Sequence, residues 1–238
     1  MSNYQIMGPW REQNSGDGKN IVSKIYVRNT EASGSFSGRT GAQDNDGDLR
    51  TGGSDPTAWS TTSGNVRTGA ETVFLGEGTF IHAVRFTNVT VPQGSTIDTA
   101  TLTYTALGTD TNNVLTKMYG FDEDNTADYS SDPTGRTKTT AVVDWDLNGV
   151  TNNVTYSFSI ATIVQEIINR SGWSSGNAIG FINVDDGSAI EKKHSFQSHD
   201  GVSAKAPLLD IGYTPVSRTV LFRGQTRYIT PRRDVTIT

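Results

Sequence analysis

No cysteine occurs in the 238 residues, which excludes disulfide bridges, thiolate metal sites and a cysteine nucleophile. Histidine is nearly as scarce: His82, His194 and His199 are the only three, and none stands in a metal-binding motif. Neither a Gly-x-Ser-x-Gly elbow nor a phosphate loop appears, so no nucleophilic or nucleotide chemistry is written in the chain. An excess of positive charge is missing as well. The 20 Lys and Arg face 25 Asp and Glu, a net charge of −5, without the broad basic face of a nucleic-acid binder. Met1-Ser-Asn-Tyr-Gln has no basic start and no apolar h-region, so no signal peptide is read there, and no apolar run reaches the length of a membrane span. The expectation is a chain made in a cytoplasm, with no membrane and no nucleic acid as partner. Without an export signal, the sequons at Asn88, Asn153 and Asn169 carry no weight.

What is present points to strands. Gly is high at 25 residues, Ser, Thr and Asn are abundant, and only 34% of residues are apolar, a composition of short strands and turns. Strands are predicted over 21–28, 80–86, 97–106, 114–121, 139–145, 154–158, 179–184 and 207–213. Turns lie at Thr90-Val-Pro-Gln-Gly-Ser and Asp132-Pro-Thr-Gly. One helix is predicted, on the i, i+3, i+4, i+7, i+8 spacing of Ile160, Ile163, Val164, Ile167 and Ile168, with Ser159 as its N-cap and Gly172 as its C-terminal stop. The expected fold is all-β: a jelly-roll β-sandwich over residues 73–214, with one short amphipathic helix and extended N- and C-terminal arms.

The flanks read differently. Residues 1–72 hold an N-terminal arm, a first strand and a Gly/Ser/Asp-rich insertion over 29–72. The arm carries an apolar patch (Tyr4, Ile6, Met7, Pro9 and Trp10) that is expected to dock on its own body or on a partner. In the insertion, Asp44, Asp46 and Asp48 alternate as calcium ligands do, but Leu49 replaces the glycine of an EF-hand loop and Asp55 its glutamate. Asp122, Glu123, Asp124 and Asp128 form a second acidic loop. It offers either a calcium site or a carboxylate pair for glycoside hydrolysis, and a solvated turn is the plainer reading of both stretches. Residues 215–238 form a basic, β-prone tail. Arg218, Arg223, Arg227, Arg232 and Arg233 face only Asp234 and are interleaved with Val220, Leu221, Phe222, Tyr228 and Ile229. Both ends are expected to bind partners. The tail would add a strand to a neighbour's sheet and set its arginines on an acidic surface, or else fold back as two further strands of the sandwich.

Over roughly residues 80–214 the chain resembles a family of jelly-roll modules. The resemblance is carried by Val84-Arg-Phe-Thr-Asn-Val with Val91-Pro-Gln-Gly-Ser-Thr-Ile, by Ala100-Thr-Leu, by Gly120-Phe-Asp-Glu-Asp-Asn-Thr-Ala-Asp and by Gly135-Arg-Thr-Lys-Thr-Thr-Ala. It continues in Ile163-Val-Gln-Glu-Ile-Ile-Asn-Arg-Ser-Gly-Trp-Ser-Ser-Gly-Asn-Ala and Ala204-Lys-Ala-Pro-Leu-Leu. Such modules occur in secreted and surface proteins of bacteria, often beside carbohydrate-related modules, and in virion proteins of tailed phages. A Tyr-Asp-Gly expected near the last strands is replaced by Phe196-Gln-Ser-His-Asp200-Gly201.

The resemblance, the absence of catalytic motifs and the unassigned ends together imply a virion structural protein of a tailed phage. The expected role is a capsid decoration or cement subunit that is not an enzyme, is homo-oligomeric and is bound to the major capsid protein. The alternative is a carbohydrate-binding or adhesin module, including a tail or fibre receptor binder, with Trp59, Trp145 or Trp173 stacking on a glycan.

Overall fold

The computed structural model describes residues 3–6, 14–15, 19–20, 25–30, 32–52, 58–62, 65–73, 76–216 and 218–222. In chain order the strands are β1 (Asn3–Ile6), β2 (Asn14–Ser15), β3 (Lys19–Asn20), β4 (Ile25–Thr30), β5 (Gly34–Arg39), β6 (Asp46–Gly52), β7 (Asn65–Val73), β8 (Gly76–Phe86) and β9 (Thr96–Thr105). Then follow β10 (Asp110–Val114), β11 (Thr116–Phe121), β12 (Lys138–Asp144), β13 (Leu147–Val150), β14 (Thr155–Ser159), the helix α1 (Ala161–Ile168), β15 (Ile179–Asp185), β16 (Lys193–Gln197), β17 (Leu208–Thr214) and β18 (Arg218–Phe222). They form two units, Ser33–Pro215 and the paired ends Met1–Ala32 with Val216–Thr238.

The expected all-β sandwich is present, and Ser33–Pro215, the unit that holds it, takes in residues 33–72 as well as the 73–214 predicted. One sheet has the order β12-β11-β15-β8-β7-β16, with β6 also paired to β8. The second has the order β14-β9-β17-β5. The main core lies between them. It takes Val84 and Phe86 from β8, Leu102 and Tyr104 from β9, Ile179 and Phe181 from β15, and Leu209 and Ile211 from β17. The larger sheet is covered on its other face too, where Ala83 and Ile182 pack with Phe121 and Tyr129. Burial on both faces explains why Phe80–Phe86 and Ile179–Val184 are nearly continuous apolar runs rather than strict alternations.

The helix joins the two sheets at one end of the sandwich. Ile163, Val164, Ile167 and Ile168 are fully buried, as their spacing predicts. Close approach to β11 depends on Gly120, where a Cβ would sit 2.7 Å from both Ile163 Cγ2 and Ile167 Cδ1. Polar side chains fasten the helix on both sides. Gln165 accepts the Ile97 N–H at 2.8 Å and donates to the Ser95 carbonyl at 2.9 Å, while the Glu166 carboxylate accepts the N–H groups of Thr140 at 2.8 Å and Ala141 at 2.7 Å. Glu166 thereby occupies backbone donors on β12, an outer strand of its sheet, which removes a template for unwanted strand pairing. Burial pulls its carboxyl upward, but these donors outweigh burial and hold it below the usual glutamate range.

The helix ends differ from the sequence reading. Ser159 still lies in the ladder opposite Thr101, so its backbone is extended and Ile160 takes the N-cap position without a side-chain cap. Gly172 does not terminate the helix, which stops at Ile168. The orphan Ile168 carbonyl instead accepts the Gly94 N–H at 3.0 Å. Gly172 has another role: a Cβ there would displace the Asp124 carboxylate from its present position beside Arg170.

The stretch 29–72 also departs from expectation. Read as a structureless insertion, it holds the end of β4, all of β5 and β6, and most of β7. Strand β5 alternates half-buried and exposed residues with Phe36 its only large apolar side chain, and β6 buries Asp46 and Asp48 where a core strand would bury aliphatics. Apolar periodicity is absent from both, so the strands left no signal.

Candidate functional site

Three groups of residues were singled out by the sequence: the Asp44–Asp48 run, the acidic loop of Asp122–Asp128, and the two chain ends. The first becomes a row of carboxylates with separate partners. Asp44 Oδ1 accepts the Thr61 hydroxyl at 3.0 Å. Asp48 is buried and receives Arg67 Nε at 2.6 Å and Nη2 at 3.1 Å, a two-pronged pair, while the Arg67 guanidinium lies 4.5 Å over the Phe80 ring. Asp46 Oδ2 accepts the Thr40 hydroxyl and the His199 backbone N–H, both at 2.8 Å, but Oδ1 is buried without a hydrogen bond among the described residues. Burial is the main cause that pushes Asp46 up to about 6, against the opposing pull of those two donors.

The second group is a brace. Arg170, just beyond α1, donates Nε to Asp124 at 2.7 Å and Nη1 to Asp122. The hydrogen bond it donates to Asp124, followed by that to Asp122, raises the guanidinium pKa. Asp128 accepts the Ser130 hydroxyl at 2.7 Å and its N–H at 3.2 Å, as in an Asx turn, which lowers its pKa. The loop also carries Tyr129 into the second core, where its hydroxyl donates to the Val84 carbonyl at 3.1 Å. Its N–H donates to the Asp44 carbonyl at 2.9 Å, and its own carbonyl accepts Trp59 Nε1 at 2.9 Å. The two acidic stretches, offered as alternative calcium loops, therefore meet through the backbone of Tyr129. Among the described residues no group of three or more His, Cys, Asp or Glu is placed to hold a metal ion.

The histidines are likewise engaged. His82 is fully buried, with Nδ1 3.1 Å from the Arg67 carbonyl and Nε2 3.0 Å from the Tyr104 hydroxyl. Burial takes its pKa down to about 4, so it is neutral with its proton on Nδ1 at physiological pH. His194 lies between Asp110 at 3.1 Å and the Leu147 carbonyl at 3.3 Å. His199 is set 3.3 Å from Asp200. Of the tryptophans proposed as glycan platforms, Trp145 is buried, stacked 4.8 Å from Tyr104 and 4.5 Å from Phe158. Trp173 is buried with its Nε1 on the Val91 carbonyl at 2.9 Å. Trp59 remains partly exposed. Arg67, Tyr129, Glu166 and Arg170 were not singled out, because their partners lie 19 to 70 residues away in sequence and no local pattern announces them.

At the ends, β1 pairs with β4 and β4 with β18, all antiparallel, in a three-stranded sheet of order β1-β4-β18. The tail strand thus joins the N-terminal strands rather than the sheets of 73–214. Tyr4 and Ile6 lie on β1, and Arg218 and Phe222 on β18. Met7, Trp10, Arg223, Arg227, Tyr228, Arg232 and Arg233 lie outside the described residues. This end unit is the candidate interface: it is built from both termini, and its outer strands β1 and β18 each have a single strand partner among the described residues. Compared with known proteins, the chain matches no family model and no curated protein sequence.

Proposed function

We propose that this chain is a structural protein of a virion, a capsid decoration or cement subunit of a tailed phage that acts by contact and not by catalysis. The observation that carries this reading is the union of the two chain ends in a small sheet that shares no strand with the two sheets of the sandwich. A sandwich whose carboxylates and histidines have protein partners suits a scaffold. An edge-bearing unit formed from both ends suits an anchor, because strand edges recruit strands of other chains. Burial of Trp145 and Trp173 removes two of the three rings that a glycan-binding face would have used. The anchor is expected to bind the major capsid protein, and the protein to reside in the particle. Quantitative mass spectrometry of purified particles tests this. Recovery in a fixed, high copy number relative to the capsid protein supports it, and absence from washed particles overturns it.

A further inference from the structure

We infer that the end unit of one copy docks on the sandwich of a second copy, so that copies associate head to tail. The two units carry opposite charge within one chain. Residues Met1–Ala32 with Val216–Thr238 hold nine Lys and Arg against four Asp and Glu, a net charge of +5. Ser33–Pro215 holds eleven against twenty-one, a net charge of −10. Two copies approaching with like units facing repel, and with unlike units facing attract, so the field of the whole molecule selects the heterologous encounter.

Strand geometry gives the encounter a place to end. Among the described residues the outer strands β1 and β18 lie in the basic unit and the outer strands β14 and β5 in the acidic one, so each unit has strands with a single strand partner. The acidic unit also exposes Asp144, Asp146 and Asp186 around Lys117, whose ammonium pairs with Asp186 at 2.7 Å. Three exposed carboxylates beside one lysine leave that end of the large sheet negative. A contact between unlike surfaces closes into a ring when its rotation divides the circle and otherwise grows as a filament. Because the end unit has two outer strands, a second copy on one leaves the other for a shell protein. The inference therefore does not depend on the virion reading.

The test is sedimentation velocity of the full chain at about 20 mM and about 500 mM salt, since exposed charges are screened beyond about 3–10 Å at the upper end of this range. It is paired with a variant carrying Arg223→Glu, Arg227→Glu, Arg232→Glu and Arg233→Glu. The wild type is expected to associate at low salt and dissociate at high salt. The variant is expected to remain monomeric in both, with the melting of its sandwich unchanged. A wild type that is monomeric at low salt, or association that survives both high salt and the four substitutions, overturns the inference. A mixture of light and 15N-labelled wild-type chains, joined by a zero-length carbodiimide cross-linker, gives an answer even where the variant misfolds. Light-to-heavy links from Lys19 or Lys24 to carboxylates within 33–215 support it. Links confined to single chains, or running only between end units, contradict it. None of these outcomes alters the copy number in particles, so failure here is distinct from failure of the virion reading.

Discussion

The sandwich and the end unit use charge in opposite ways. Inside Ser33–Pro215, cations are spent on named acids: Arg67 on Asp48, Arg170 on Asp122 and Asp124, Lys117 on Asp186. These pairs fix loops and strands, and the acids left over give the unit its negative sign. The end unit holds seven of the thirteen arginines in 55 residues and only four acids, so most of its positive charge cannot be neutralised within the unit. The difference separates two tasks. On the reading proposed above, the paired charge of the sandwich maintains the fold, and the excess positive charge of the end unit is available to another molecule. Removing a buried or paired group of the sandwich should therefore change melting and leave association intact, and removing the tail arginines should do the reverse.

The largest expected effect on stability is at the helix. Ile167→Ala removes a fully buried side chain between α1 and Gly120 and should cost roughly 2–5 kcal/mol. The folded fraction should still associate, as thermal melting and sedimentation of the same sample will report. An unchanged melting temperature would show that the helix does not close the sandwich.

Next is Asp46. Its folded pKa of about 6 lies above the unfolded value of 3.8, so its contribution is fully favourable below pH 3.8 and is lost as pH rises through 6. Asp46→Asn should therefore stabilise the protein at pH 7.5, by up to about 3 kcal/mol from a shift of about two units, and should have little effect near pH 4. His82 has the opposite sign. Its depressed pKa of about 4 means that its contribution is present above pH 6.5 and is lost as pH falls towards 4. The two trends oppose each other over the same window in the wild type. In Asp46→Asn the acid-side loss from His82 should be exposed, giving a steeper fall in melting temperature between pH 6.5 and 4. Parallel pH profiles for the two proteins would refute this assignment.

The smallest effect is at Arg170. Arg170→Ala frees the Asp122–Asp124 loop but removes a pair that is partly open to solvent, so a loss of about 1 kcal/mol is expected. Hydrogen exchange at residues 122–128 should quicken while the strands keep their protection. Unaltered exchange in the loop would remove the brace from the description.

How much of this was legible follows from where each partner lies. Strand β9 was readable because Ala100, Leu102 and Tyr104 alternate, and α1 because its four buried residues keep helical spacing. The Pro92–Ser95 turn was readable from its composition, and Gly94 does adopt a positive φ of 70°. Strands β5 and β6 were not, since they are stabilised by residues distant in the chain. Asp46 needs His199, Asp48 needs Arg67, and Ile211 opposes Phe36 across β17 and β5. The basic tail was recognised as β-prone, but its pairing with β4 joins residues nearly 200 positions apart, a relation that periodicity cannot express.

The division of labour is tested most directly by ending the chain at Pro215, which deletes β18 and the tail arginines. The truncated protein is expected to melt at the temperature of the full chain's sandwich and to have lost both its association at low salt and its binding to particles. A truncated protein that unfolds, or that still assembles, would contradict the assignment of fold to one unit and contact to the other.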